Sequence, residues 1–243
     1  MKSDVRNEAA NLIFGRNPVK EALRANRVTR VFLTNNFSDK EINTLLKECK
    51  VPIRVVSAGE LDTKCRNGVH QGIMAEVKPY EYLDLEEIIR RSRKEKLPII
   101  VILDGIEDTH NLGAILRSCD VFNVTGVLIP KHNQVPLNAT VAKSSAGAIN
   151  YVPVAQIGNI QQTIQKLKDN GFWVVSTDGS ATIDYSKLTY DFPVALVIGS
   201  EGRGVSQLII KNSDYVVKIP QYGHVNSLNA SVAAGILLSR IRS

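Results

Sequence analysis

Three short stretches hold the residue types and spacings that could do chemistry. The first is Asp104-Gly105-Ile106-Glu107-Asp108-Thr109-His110-Asn111, followed on the same predicted helix by Arg117. The second is Gly199-Ser200-Glu201-Gly202-Arg203-Gly204, and the third runs from Pro220 to Asn229 and includes Ser227 and Leu228. Each follows a predicted strand, so each is expected at a strand's carboxyl end, where open α/β sheets bind ligands. Glycines there let a ligand approach the backbone, and exposed N–H and C=O groups can grip an adenosine or a carboxylate. Plainer readings compete: the glycines as a tight turn, Glu201 beside Arg203 as an exposed pair, Asn111 as a helix N-cap. Arg117 sits among apolar and small residues, where a guanidinium must be paired or reach a cleft.

Familiar alternatives fail on pattern. No Gly-x-Gly-x-x-Gly follows the Ile99–Leu103 run, and Gly199 to Gly204 spaces its glycines wrongly for that dinucleotide fingerprint. No phosphate loop of the Gly-x-x-x-x-Gly-Lys-Ser/Thr type occurs. His70, His110, His132 and His224 lack metal-ligand spacing, and Cys49, Cys65 and Cys119 form no Cys-x-x-Cys pair, so no metal is expected and the cysteines read as small apolar residues.

The elements that must position these loops follow from the apolar periodicity. Beyond Pro98, strands are predicted over Ile99–Leu103, Gly126–Ile129, Tyr151–Val154, Phe172–Thr177, Val194–Ile198 and Tyr215–Ile219. Helices are predicted near 112–122, 140–146 and 160–170, and the βαβα order predicts a mostly parallel sheet covered on both faces. Upstream, a helix capped by Asn17 with Pro18 at its first position, a strand at Arg30–Thr34, a helix at Lys40–Cys49, a strand at Ile53–Val56, a helix at Ala58–Cys65, an Asn67–Gly68 turn and a strand at Gln71–Val77 make a small α/β unit. The division drawn is 1–79, a linker at 80–97 containing a charged, solvent-exposed helix, and 98–243.

At 243 residues and 44% hydrophobic, the chain can bury a sizeable core. No apolar run reaches the roughly 20 residues of a membrane span, and Met1–Glu8 is too polar for a signal peptide, so a cytosolic protein is expected. The net charge of +6 is concentrated early: residues 1–97 carry 19 basic against 14 acidic side chains. Arg16, Lys20, Arg24, Arg27 and Arg30 could bind RNA phosphates, or form a solvated face. The last helix is unusually small-sided, with Ala230, Ser231, Ala233, Ala234 and Gly235, and could pack internally or against another subunit.

In order and spacing, His110-Asn111-Leu112-Gly113-Ala114-Ile115-Leu116-Arg117-Ser118, then Ile198-Gly199-Ser200-Glu201-Gly202, then Ile219-Pro220 with Ser227-Leu228-Asn229-Ala230-Ser231-Val232-Ala233, resembles the three motifs of SpoU/TrmH-type RNA ribose 2'-O-methyltransferases. Ile13-Phe14-Gly15-Arg16-Asn17-Pro18-Val19 and His70-Gln71-Gly72-Ile73 are similar to the family's L30e-like substrate-binding domain. The resemblance implies a SPOUT fold with a deep trefoil knot in the C-terminal domain, a homodimer packed through it, and S-adenosylmethionine bound by Gly199, Ile219 and Leu228 beside Thr177-Asp178-Gly179. It also implies catalytic roles for Asn111, Arg117, Glu201, Ser227 and Asn229, with Glu201 and Asn111 orienting Arg117 at the ribose hydroxyl. RNA contacts are expected at Arg16, Lys20 and Arg24. The expected substrate is a guanosine of 23S rRNA; tRNA or another rRNA nucleotide, or a non-catalytic RNA-binding role, are the alternatives.

Overall fold

The computed structural model describes residues 12–65, 68–224 and 227–243. Met1–Glu8, Asn67 of the predicted turn, and Val225 and Asn226 of the third loop lie outside them. Two compact units emerge. The described residues up to Glu81 group with Pro136–Tyr151, and Tyr82–Val135 groups with Val152–Ser243. The segment Pro136–Tyr151, which the sequence division left with the C-terminal domain, thus belongs with the first unit.

The first unit contains β1 (Leu12–Phe14), α1 (Arg16–Arg24), β2 (Val28–Thr34), α2 (Lys40–Cys49), β3 (Ile53–Val56), α3 (Ala58–Lys64) and β4 (Ile73–Val77). Its strands lie in the order β1-β4-β2-β3, with only the β2–β3 pair parallel. Phe32 and Met74 pack with Val56, Leu61 and Cys65, while the alternate residues Val31, Ile73 and Ala75 are equally buried on the other face. Helix α1 begins one residue before the predicted cap Asn17. Gly15, at φ +94°, precedes it, and the free N–H of Arg16 is taken by Gln71 Oε1 at 2.8 Å, so no capping side chain is needed.

The basic segment is not a bare cationic face. Arg16 lies 3.6 Å from Asp39, Lys20 3.1 Å from Glu41, and Arg24 is held by both Glu21 and Glu41. Such exposed pairs contribute about 0–1 kcal/mol each, weak enough to be exchanged for phosphates.

The remaining helices, in chain order, are α4 (Leu85–Ser92), α5 (Thr109–Val121), α6 (Ala139–Ser144), α7 (Ile160–Lys168), α8 (Gln207–Asn212) and α9 (Ala230–Arg242). Of these only α6 joins the first unit, where Lys143 stands 4.8 Å over the Phe14 ring and the Tyr151 hydroxyl donates to Glu21 at 2.7 Å. The strand predicted at Tyr151–Val154 is displaced: a 3-10 turn fills Ala148–Asn150 and the strand starts at Val154.

The second unit is a seven-stranded sheet of β5 (Ile99–Asp104), β6 (Gly126–Pro130), β7 (Val154–Ile157), β8 (Trp173–Thr177), β9 (Ile183–Asp184), β10 (Val194–Gly199) and β11 (Tyr215–Lys218). The order is β7-β6-β5-β10-β8-β11-β9, and every pair is parallel. From β5 the chain steps outward through β6 and β7, then returns to build the other half. The order therefore reverses beside β5 and β10, and their carboxyl ends open the crevice where such sheets take ligands.

Helix α4 corrects the solvated-linker reading. Ile88 and Ile89 are buried, and Ile88 packs so tightly on Gly126 that a Cβ there would meet it at 2.7 Å. Only the outer face, with Glu87 paired to Arg90 and Arg91, is solvated. Burying each isoleucine contributes about 1.5–3 kcal/mol, well above an exposed ion pair.

Helix α9 packs on α5, and Gly235 brings the two within reach, its Cβ position lying 3.6 Å from Ser118 Oγ. Internal packing thus accounts for much of its small-sided face. At its far end Arg242 donates to the carbonyls of Phe122 at 2.7 Å and Leu97 at 2.9 Å, fixing the helix whose first turn reaches the site.

Candidate active site

Helices α5 and α9 and the loop after β10 each bring one polar side chain to a common point. Asn111 Nδ2 donates to Glu201 Oε1 at 3.0 Å, and Asn229 Nδ2 donates both to Asn111 Oδ1 at 2.8 Å and to Glu201 Oε1. Asn229 does two jobs. Its Oδ1 caps α9, accepting from Ser231 N at 2.9 Å and Val232 N at 3.3 Å, and its amide N–H groups face the site. The cap of α5 is Asp108, whose carboxylate accepts from His110 N at 3.0 Å. Asn111 is therefore not the N-cap but a first-turn residue with its side chain released toward Glu201.

Glycine makes the Glu201 loop possible. A Cβ on Gly199 would lie 2.1 Å from Gly204 C and 2.3 Å from Val205 N, so the loop can fold back only on a residue without one. The fold-back is pinned by Gly204 N donating to Ser200 O at 2.8 Å and by Ser206 N donating to Asp104 Oδ2 at 2.9 Å.

Beside the three-residue cluster lies a cavity of about 210 Å³ at the ends of β8, β10 and β11. Thr177, Asp178, Gly179, Gly199, Ile219 and Leu228 all line it, and Glu201 and Ser227 stand at its wall. Ile198 and Val217 add apolar wall that the sequence reading did not single out. Their signal is position: each stands at or near the end of a buried strand, just before a loop. The Asp178 carboxyl is held below the usual carboxylate range by hydrogen bonds from the Ser180 hydroxyl and N–H, the latter at 2.7 Å.

Arg117 is not brought into this cluster. It is exposed on α5 and, among the described residues, has no hydrogen-bond or ion-pair partner, so Glu201 and Asn111 do not orient it within the chain. Ser227 lines the cavity but takes no part in the hydrogen-bonded cluster. Arg203 pairs with Glu107 at 3.3 Å, not with its neighbour Glu201. Its signal was the flanking Gly202 and Gly204, which leave a guanidinium unshielded. Among the described residues no group of three His, Cys, Asp or Glu could hold a metal ion, and no helix is long and apolar enough to cross a membrane.

Comparison with known proteins places this geometry. Residues 98–239 match the model of the SpoU rRNA methylase family, and residues 12–83 match that of the RNA 2'-O ribose methyltransferase substrate-binding domain. A Staphylococcus aureus member of the TrmH family of tRNA/rRNA methyltransferases is 43% identical over 235 residues, 95% of this chain and 94% of that one. Among solved structures, the SpoU methyltransferase AviRb of Streptomyces viridochromogenes superposes with a TM-score of 0.82 at 22% identity, covering 100% of this chain and 91% of that one. An AdoMet-bound rRNA methyltransferase of Sinorhizobium meliloti does so with the same score and identity, covering 100% and 90%; at that identity both speak to the fold alone. Matched by family models in both its N-terminal and C-terminal parts, and sharing nearly half its residues with such a relative, the chain belongs to the SpoU rRNA methylase family.

Proposed function

We propose that the protein methylates the ribose 2'-hydroxyl of a guanosine in 23S rRNA, using S-adenosylmethionine. The family carries the general chemistry, RNA 2'-O-ribose methylation; the guanosine and the 23S rRNA are our reading. One observation supports it most: Glu201 belongs both to the cavity wall and to the Asn111–Glu201–Asn229 cluster, so a ligand in the cavity ends beside a preorganised polar group.

The residues present suit the cofactor. Ile198, Val217 and Leu228 offer an apolar wall for an adenine, and the ionised Asp178 offers an acceptor for hydroxyl or ammonium donors. When bound, S-adenosylmethionine supplies a methyl group carried on a sulfonium sulfur. Both amide bonds to Glu201 converge on Oε1, which fixes the carboxylate and leaves Oε2 without a hydrogen bond among the described residues. A ribose hydroxyl is a poor nucleophile until its oxyanion is stabilised. Arg117 serves as that stabiliser rather than as a base, because a guanidinium stays protonated; a substrate phosphate takes part in drawing off the proton. The same reading includes a trefoil knot in the C-terminal domain, an L30e-like N-terminal domain, a homodimer packed through the C-terminal region, and a cytosolic place of action.

The test is transfer of labelled methyl from S-adenosylmethionine to separate 23S rRNA, 16S rRNA and tRNA, with mapping of the modified ribose. Incorporation at one 23S guanosine is expected. Arg117→Ala should cut turnover by about 10²-fold or more while cofactor affinity stays near parental. Turnover at the parental rate in that variant, or incorporation into tRNA alone, would sink the assignment.

A further inference from the structure

A second cavity, of about 400 Å³, opens at the carboxyl ends of β5, β6 and β7, on the far side of the Gly199–Gly204 loop from the cofactor cavity. Its volume falls within the roughly 300–1,000 Å³ of small-molecule sites. No role for it follows from the chemistry above, yet it shares three wall residues with the cofactor cavity, Ser200, Arg203 and Gly204. A ligand lying in it is therefore separated from the methyl donor by the thickness of one loop.

The lining states what kind of ligand fits. His132, Asn133 and Gln161 are exposed polar side chains on that wall, and among the described residues none of them has a hydrogen-bond partner. Asn133 holds its place in the left-handed region, at φ +54°, which an asparagine tolerates better than most residues. Two amides and an imidazole present donors and acceptors together, the pattern that matches a nucleobase edge rather than a metal ion or a lipid. The one carboxylate, Asp104, already accepts the Ser206 N–H at 2.9 Å, so its charge is partly spent inside the protein. Arg203 supplies the cation at the mouth. Its pair with Glu107 is exposed on both sides, at 72% and 64%, and is weak enough to give way to a phosphate.

We propose that this cavity is a nucleotide subsite, holding the base of a residue that flanks the methylated ribose, with Asn133 and Gln161 reading the base and Arg203 meeting its phosphate. The flanking position rests on the RNA-methylation reading; the subsite itself stands on the cavity.

The experiment measures binding of a fluorescein-labelled, mixed-sequence single-stranded RNA dodecamer to the full chain by anisotropy, alongside methyl transfer to 23S rRNA. Asn133→Gly keeps the left-handed backbone and Gln161→Ala suits a helix, so the double variant should fold; Gln161→Glu, an isosteric change, is the second variant. Loss of two hydrogen bonds predicts at least about a tenfold weaker affinity for the dodecamer. The Michaelis constant for RNA should rise to match, while kcat and the affinity for S-adenosylmethionine stay put. Dodecamer binding that weakens in the variants supports the subsite even if the parental protein transfers no methyl group, an outcome that removes the methylation reading alone. Methyl transfer in the parental protein with affinity unchanged in both variants overturns the subsite alone. A parental protein that does not hold the dodecamer overturns it as well.

Discussion

Replacing Gly199 with alanine puts the loop geometry to a quantitative test. The new Cβ would stand 2.1 Å from Gly204 C and 2.3 Å from Val205 N, and both obstacles are backbone, so no side chain can swing aside. Carbon atoms settle at about 3.5–4.0 Å, which leaves an overlap of about 1.4 Å to be relieved by moving the loop. Overpacking of this kind costs about 1–3 kcal/mol. At roughly 2–4 °C per kcal/mol for a chain of this size, the melting temperature should fall by about 2–12 °C. The functional loss should be larger in proportion, because the loop carries Glu201, and misplacing a reacting geometry by about 1 Å costs on the order of 10²-fold in rate. Gly202→Ala is the matched control: a Cβ there meets nothing within 4 Å and its φ lies outside the left-handed region. It should stay within about 0.5 kcal/mol of the parent. Thermal unfolding by circular dichroism and initial rates of methyl incorporation read the two effects. A Gly199→Ala protein with parental melting and rate, or a Gly202→Ala protein damaged as badly, would refute the reasoning.

Asn229→Ala should lose about 0.5–2 kcal/mol through the cap of α9, whereas Asn229→Asp keeps the capping oxygen but sets a carboxylate against Glu201. Near-parental melting with strongly reduced turnover is expected for the aspartate variant; parental turnover would show that the amide does nothing for the site. Tyr80 is a stability test in the first unit. Its hydroxyl is buried without a partner, and burial pushes its pKa up to about 12, with Arg27 opposing. A pKa raised in the folded state means that the neutral phenol's contribution is whole below the unfolded value of about 10 and lost as pH rises toward 12. Tyr80→Phe should therefore gain about 1 kcal/mol at pH 7 and unfold less readily between pH 10 and 12. Denaturant titrations at pH 7 and pH 11 that show no difference between the two proteins would contradict this.

Where a local signal and the tertiary pattern agree, the sequence reads directly. Helix α2 runs over Lys40–Cys49 as expected, because Asp39 caps it and Lys50 turns left-handed at its end. Strand β7 does not, because Tyr151 and Val152 have strand-like side chains but the register is set by pairing across to β6, where Val127 meets Val154. That pairing is not a local property. Helix α4 misleads for a related reason: its charges outnumber its apolar residues, yet two adjacent isoleucines are enough to seat it once Gly126 leaves room.

The site divides along the same line. That the three loops would converge was legible, since each follows a strand of one parallel sheet and so leaves it at the same edge; β5 and β10 are neighbours, β11 stands one strand further on beyond β8, and all six residues expected at the cofactor line one cavity. Which side chains would touch one another was not, with one exception that helical geometry could have supplied. Asn111 and Arg117 are six residues apart on α5, hence about 120° apart around its axis and about 9 Å along it. With Asn111 on the face that bonds Glu201, the spacing sets Arg117 on a different face, and among the described residues it takes no partner. Arg117 is thus free to approach the acceptor from outside the cluster. This is what makes its substitution informative: removing it leaves the Asn111–Glu201–Asn229 bonds standing, and any loss of turnover belongs to the guanidinium itself.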